Sequence, residues 1–347
     1  MPNPSFLGST FPLIQAPMAG VQGHALAAAV CNAGGLGSIP AAMLSLEALR
    51  NELTQLTALT HKPYNVNFFC HTPPQPDPQC EAGWQQALSP FYEELGLSLA
   101  DIVPGPGRAP FSEAVADVVE AFKPAVMSFH FGLPPDALLT RVKSWGSLVL
   151  ASATTVEEAL WLQAHGADAI IAQGLEAGGH RGIFLSDDLT TQVGTMVLVP
   201  QIVRAVRVPV IAAGGIADVQ GVAAAMAVGA SAVQIGTAYM CCPEATTSAL
   251  HRAVLQSADA RQTALTNLFT GRPARGIMNR LMRELGTLSP TAPAFPLAAS
   301  AIAPLRARAE SLGRTDFTPL WSGQNASQCQ PVPAADLTRA LADGLVR

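Results

Sequence analysis

Eight short apolar runs, each followed by a longer stretch with helical spacing or by a turn, constrain this chain more than any other feature. The runs lie at 12–17, 36–39, 64–69, 125–131, 148–152, 169–173, 208–212 and 232–236. Most lack the apolar–polar alternation of a strand with one wet face. Both faces are therefore expected to be covered, as in a parallel sheet. Helical spacing is expected at 24–32, 46–59, 112–122, 135–145, 155–165, 200–206 and 219–228. Gly34 and Gly35 stop the first of these, and Thr154 or Thr155 with Glu157 and Glu158 supplies a cap and first-turn acids for the fifth. Eight strand–helix units predict an α/β fold, a (β/α)8 TIM barrel. A doubly wound open sheet is the main alternative, disfavoured by the even spacing and by the lack of an N-terminal GxGxxG.

Such a barrel takes roughly 250 residues, and the chain has 347. The pattern changes after Tyr239. Helical stretches are expected at 246–257 and 279–285, with no strands between them. This predicts a barrel over 1–242, completed by 315–347, and a helical insertion over 243–314 covering the active site. Proline-rich 290–296 and 331–333 read as turns, and 334–346 as the closing helix.

With 49% hydrophobic and 13% charged residues the chain can bury a large core. The net charge is −5 and Lys and Arg form no stripe, so nucleic acid is not an expected partner. No apolar run is long enough to span a bilayer, and the first residues lack the basic and apolar regions of a secretory signal, so a cytoplasmic protein is expected. Six cysteines without a CxxC pair suggest reduced, mostly buried thiols and no metal site.

The chemistry concentrates in 168–182, where an apolar run ends in a glycine-rich turn carrying His180. Glycine lets a backbone approach a ligand, and histidine exchanges its proton near neutral pH. Loops after strands seven and eight of a barrel often cradle phosphate. Here they carry Gly214, Gly215, Gln234, Ile235, Gly236 and Thr237, although ordinary tight turns would look alike. Pro17, Met18 and Ala19 end strand one with an apolar surface. Asn67 and Gln173 end strands three and six with amides that both donate and accept. Together they suit a flat ring with alternating donors and acceptors, such as a flavin. His130, at the end of strand four, is a second candidate for substrate. His24, His61, His71, His165 and His251 read as helix or loop residues. Arg272 and Arg275 either meet a substrate carboxylate or form a solvated face, and Glu176 reads as exposed.

The segments Pro12-Leu-Ile-Gln-Ala-Pro-Met-Ala-Gly20, Tyr64-Asn-Val-Asn-Phe-Phe69, 168–182 and Ala232-Val-Gln-Ile-Gly-Thr-Ala-Tyr239 resemble motifs of the bacterial nitronate monooxygenases, formerly called 2-nitropropane dioxygenases. The resemblance extends into Thr270-Gly-Arg-Pro-Ala-Arg-Gly276 and Phe317-Thr-Pro-Leu-Trp-Ser-Gly-Gln324, and is nearest to the class acting on propionate 3-nitronate. Tyr64 stands where relatives often carry Phe. The resemblance implies an FMN-containing barrel that oxidises alkyl nitronates with O2 to a carbonyl compound and nitrite, without NAD(P)H, in a detoxifying role. It places FMN contacts on Asn67, Gln173, Gly178 with its neighbour Gly179, Gly215, and Gln234 to Thr237, and the family's histidine at His180. A monomer or homodimer is expected. The rivals are an NAD(P)H-dependent FMN reductase of the enoyl-acyl-carrier-protein or quinone type on the same barrel, and a flavin-binding sensor or storage protein.

Overall fold

The computed structural model describes residues 5–103 and 108–346; Met1 to Pro4, part of the segment read for a signal, lie outside them. The strands in chain order are β1 (Leu13–Gln15), β2 (Gly37–Pro40), β3 (Tyr64–Phe69), β4 (Val126–His130), β5 (Leu148–Ala153), β6 (Ala169–Gln173), β7 (Gly179–His180), β8 (Val210–Ala213), β9 (Ala232–Ile235), β10 (Thr263–Thr266) and β11 (Ala274–Ile277). The helices are α1 (His24–Asn32), α2 (Leu46–Leu59), α3 (Pro78–Glu94), α4 (Glu113–Glu120), α5 (Asp136–Ser144), α6 (Val156–Ala164), α7 (Thr195–Ala205), α8 (Val219–Ala227), α9 (Ala249–Leu255), α10 (Arg280–Glu284), α11 (Ala299–Ser311) and α12 (Ala334–Ala342).

Eight strands pair in parallel in the order β1-β9-β8-β6-β5-β4-β3-β2. A bridge between Ile14 and Leu36 brings the two ends together, with Gln15 N donating to Leu36 O at 2.9 Å and Leu36 N to Leu13 O at 2.8 Å. The expected (β/α)8 barrel is the observed fold.

Successive side chains of a strand point to opposite faces. Val126, Leu150, Ala169, Ile171, Ile211 and Ala232 therefore fill the inside of the barrel as one cluster. Their neighbours Met127, Val149, Ile170, Ala212 and Val233 pack outward under the helices. The same alternation carries Asn67, His130, Ser152, Gln173 and Gln234 inward at the carboxyl ends of their strands, where a barrel keeps its active site. Ile235 falls on the other parity. It is 1% exposed in the outer core, so its side chain does not face the site.

Several elements differ from expectation. Helix α7 starts at Thr195 and carries Pro200 inside it, because Glu176 accepts from Thr195 N and Oγ1, both at 2.8 Å, and fixes an earlier start. Helices α3 and α11 were not expected. Each contains an internal proline, Pro90 or Pro304, and a proline inside a helical pattern reads as a stop. They pack together through Trp84, Leu88, Tyr92, Ile302 and Leu305, so a second hydrophobic cluster, the cap, draws on 78–94 as well as on the later residues. The region after Tyr239 also holds β10 and β11, antiparallel to each other, with β11 in turn antiparallel to β7. Four-residue strands containing Ala and Arg carry little β signal of their own. Among the described residues no helix is long and apolar enough to cross a membrane.

Glu158 shows how the barrel ties its loops. Thr155 caps α6 as expected, but Glu158 turns inward and is 1% exposed. Its carboxylate accepts from Thr154 N at 2.6 Å, Thr154 Oγ1 at 2.7 Å and Phe184 N at 2.6 Å. An orphaned buried donor costs about 1–3 kcal/mol. Glu158→Ala is therefore expected to lower unfolding free energy by about 3 kcal/mol or more in urea denaturation, with Glu158→Gln losing less.

Candidate active site

A single strand pair positions the central histidine. Gly179 and His180 form β7 and pair with Arg275 and Ala274 of β11, so the imidazole sits on a ladder rather than on a free turn. Arg181 N donates to Pro273 O at 2.8 Å just beyond it. From the barrel side, Gln173 Nε2 at 3.0 Å and His130 Nε2 at 3.1 Å both reach His180 O. A carbonyl only accepts, so His130 carries its proton on Nε2. Gly182 N donates back to Gln173 Oε1 at 2.7 Å. His180 Nε2 lies 2.9 Å from Thr270 Oγ1, which leaves Nδ1 without a protein partner among the described residues.

The cavity at the barrel mouth has a volume of about 320 Å³. Of the residues expected at the site, Pro17, Met18, Ala19, Asn67, His130, Gln173, Gly178, Gly179, His180, Gly214, Gly215, Gln234, Gly236 and Thr237 line it. Ile235 does not. Gln173 has both ends of its amide engaged with the His180 loop, so it positions that loop. Asn67 Nδ2 is held by Ser128 Oγ at 3.0 Å, while its Oδ1 has no partner among the described residues. The apolar segment after β1 is held by Gln22, whose Oε1 accepts from Gln15 Nε2 at 2.6 Å and from Met18 N at 3.2 Å.

Glycine is required at several points of the wall. Gly178 passes so close to the 322–323 backbone that an added Cβ would meet Gly323 N at 2.5 Å. Gly214 and Gly215 have φ of +118° and +72°, a region that side chains rarely adopt. Residues 322–325 complete this wall: Gly323 N donates to Thr237 Oγ1 at 2.9 Å and Asn325 Nδ2 to Gly215 O at 3.1 Å.

Three basic lining residues were not singled out by the sequence reading: Arg108, His251 and Arg306. Conversely, Arg275 is buried in structural bonds to Leu175 O and Thr263 Oγ1 and does not line the cavity. Arg272 stacks 4.1 Å over Phe131 and donates to Ile183 O. Glu176, expected exposed, caps α7. The six thiols are free, and among the described residues no three His, Cys, Asp or Glu cluster to hold a metal ion.

Burial sets the protonation of the histidines. It pushes His130 down to about 4, and it pushes His71 and His251 to about 4 as well. His180 is held well below its ordinary value by burial first, then by the charge of Arg108. All four are neutral at pH 7. Between about pH 6.5 and 4 the unfolded chain binds more protons than the folded one, so stability present above pH 6.5 is lost as pH falls. Each unit of depression is worth about 1.4 kcal/mol. The urea midpoint is expected to drop steeply between about pH 6.5 and 5, above the range of ordinary carboxylates; a flat midpoint across that window would contradict it.

The model of the family described as nitronate monooxygenase matches residues 4–344. A nitronate monooxygenase of Pseudomonas aeruginosa is 42% identical over 98% of this chain and 97% of its own length. One from Paraburkholderia phytofirmans is 42% identical over 96% and 92%. Among solved structures, nitroalkane oxidase from Streptomyces ansochromogenes superposes with a TM-score of 0.89 at 38% identity, covering 97% of this chain and 96% of that one. FabK from Thermotoga maritima follows with a TM-score of 0.72 at 27% identity, covering 97% and 93%. A match that runs through barrel, histidine loop and cap alike makes this chain a member of the nitronate monooxygenase family, an oxidoreductase.

Proposed function

We propose that this enzyme binds FMN in the barrel mouth and oxidises alkyl nitronates, propionate 3-nitronate among them, with O2 to a carbonyl compound and nitrite, in a detoxifying role. The observation that carries the reading is the charge of the cavity. Arg108 and Arg306 line it beside His130, His180 and His251, which burial keeps neutral, and no Asp or Glu does among the described residues. Such a lining suits an anionic substrate.

The residues present fit FMN. Gln234 Oε1 is buried without a partner and awaits a donor. Gly214 and Gly215 pack their backbone against Thr195 and Glu176, where a side chain would not fit, and with Gly236 and Thr237 they line the cavity where a phosphate would sit. Asn67 and Gln234 would hold the polar edge of the ring, Pro17, Met18 and Ala19 its face, and Gly178 and Gly179 would let the backbone approach, while Gln173, with both ends of its amide taken, would hold the His180 loop beside it. When bound, FMN supplies the electron acceptor and the reaction with O2.

The protein's own share is binding and proton control. A nitronate is already an anion and needs no proton removed. His180, kept neutral by burial and by Arg108, is a weak base toward a carbon acid. Its Nδ1 is free to face the substrate, while Thr270 holds Nε2. A bound anion offsets part of the desolvation and raises the imidazole toward its ordinary value. The anion is therefore the preferred substrate over the neutral nitroalkane. The closer superposition on nitroalkane oxidase than on FabK supports this reading over the NAD(P)H-dependent reductase.

The holoprotein is expected to release nitrite from propionate 3-nitronate in air without NADH; no nitrite from any nitronate would overturn the reading. His180→Asn is expected to lower nitroalkane oxidation by ~10²–10³-fold and nitronate oxidation by at most ~10-fold. Equal losses on the two substrates would remove the proton-transfer role.

A further inference from the structure

The residue after the central histidine is a buried cation with no carboxylate partner. Arg181 is 0% exposed. Its Nε donates to Gln192 Oε1 at 3.0 Å, its Nη1 to Gly174 O at 2.7 Å and its Nη2 to Gln173 O at 2.8 Å. All three acceptors are neutral. We propose that Arg181 is a positioning charge: held behind the end of β6, it raises the electron affinity of FMN bound in the barrel mouth. This role rests on the FMN-dependent function proposed above and assigns the tuning of that cofactor to one residue of the chain.

A guanidinium without a counter-ion is expensive to bury. Burial pulls Arg181 down to about 10, so it still carries its proton at pH 7. Two neutral side chains separate it from the buried Glu158. Gln192 Nε2 donates to Thr154 Oγ1 at 2.9 Å, and Thr154 Oγ1 to the Glu158 carboxylate at 2.7 Å. An acid at position 192 would compensate the charge in place, and the chain has an amide there. Packing alone does not call for such a cation, because apolar replacements of buried charge are often neutral or stabilising.

The charge is placed to act on the cavity without lining it. Gln173, whose carbonyl it holds, lines the cavity and grips His180 O with its amide. His130, also in the lining, is pushed down by burial first, and the charge of Arg181 adds to this. A flavin that accepts electrons gains negative charge. A fixed cation in a dry wall favours that gain and needs no reorganisation when the charge arrives. Arg108 is half-buried and Arg306 exposed, so water and salt screen both more than Arg181. The acids that oppose Arg181, Glu158 and Glu176, are each taken up by backbone donors.

The test is an equilibrium between bound FMN and a redox dye of similar potential, with dithionite supplying electrons to both. In Arg181→Met the ratio of reduced to oxidised flavin, read at a fixed dye ratio, is expected to fall ~10-fold or more at pH 7. Gln192→Glu keeps Arg181 and its bond while compensating its charge, and is expected to lower the flavin ratio in the same direction. Gln192→Leu cuts the same network and leaves the charge. It is expected to lower the urea midpoint but to keep the flavin ratio near that of the unaltered protein. A ratio unmoved by Gln192→Glu would overturn the proposal, and so would a fall in Gln192→Leu as large as in Gln192→Glu. These two variants decide the matter even where Arg181→Met does not fold. An unaltered protein that takes up no FMN would overturn the function as well. FMN uptake with a flavin ratio indifferent to Gln192→Glu would overturn the role of Arg181 alone.

Discussion

The carbonyl oxygen of His180 is where barrel and cap meet. It takes a hydrogen bond from Gln173 at the end of β6 and another from His130 at the end of β4. Gln173 completes a loop by accepting from Gly182 N. On the far side His180 pairs with Ala274 of the cap. A segment with glycines at 178, 179 and 182 would otherwise lose much conformational freedom on ordering. Two barrel strands and one cap strand offset that cost by gripping a single peptide unit. The imidazole inherits its placement from this grip, and the cavity takes its shape from the backbone on either side.

Charge follows from the same geometry. The acids nearest the site are spent on backbone donors: Glu158 on the 154 and 184 amides, Glu176 on the start of α7. What remains facing the cavity is basic or neutral. Burial and neighbouring guanidinium groups then keep the histidines unprotonated, so the positive charge rests on arginine. Arginine keeps its proton even when desolvated, which makes the site's attraction for anions insensitive to pH near neutrality.

The barrel was legible because its signal is repeated eight times and each repeat is local. The inward row was legible too, since Asn67, His130, Gln173 and Gln234 sit at strand ends where period two fixes their face. That parity also explains the outward turn of Ile235, one position beyond the inward Gln234 on β9. The cap was harder. Pro90 and Pro304 hide α3 and α11, and β10 and β11 exist only because they pair with each other and with β7. Arg108, His251 and Arg306 carry no local mark at all. They meet because a loop before α4, helix α9 and helix α11 converge on one cavity, and no spacing along the chain encodes that convergence.

In the function proposed above, the flavin takes its electrons from the nitronate and not from a nicotinamide nucleotide. Anaerobic mixing of the FMN-loaded protein, followed by its absorbance near the flavin maximum, tests this in one measurement. Propionate 3-nitronate is predicted to bleach the flavin quickly, and NADH or NADPH to leave it oxidised over the same time. Rapid bleaching by a nicotinamide nucleotide, with no response to the nitronate, would contradict the account.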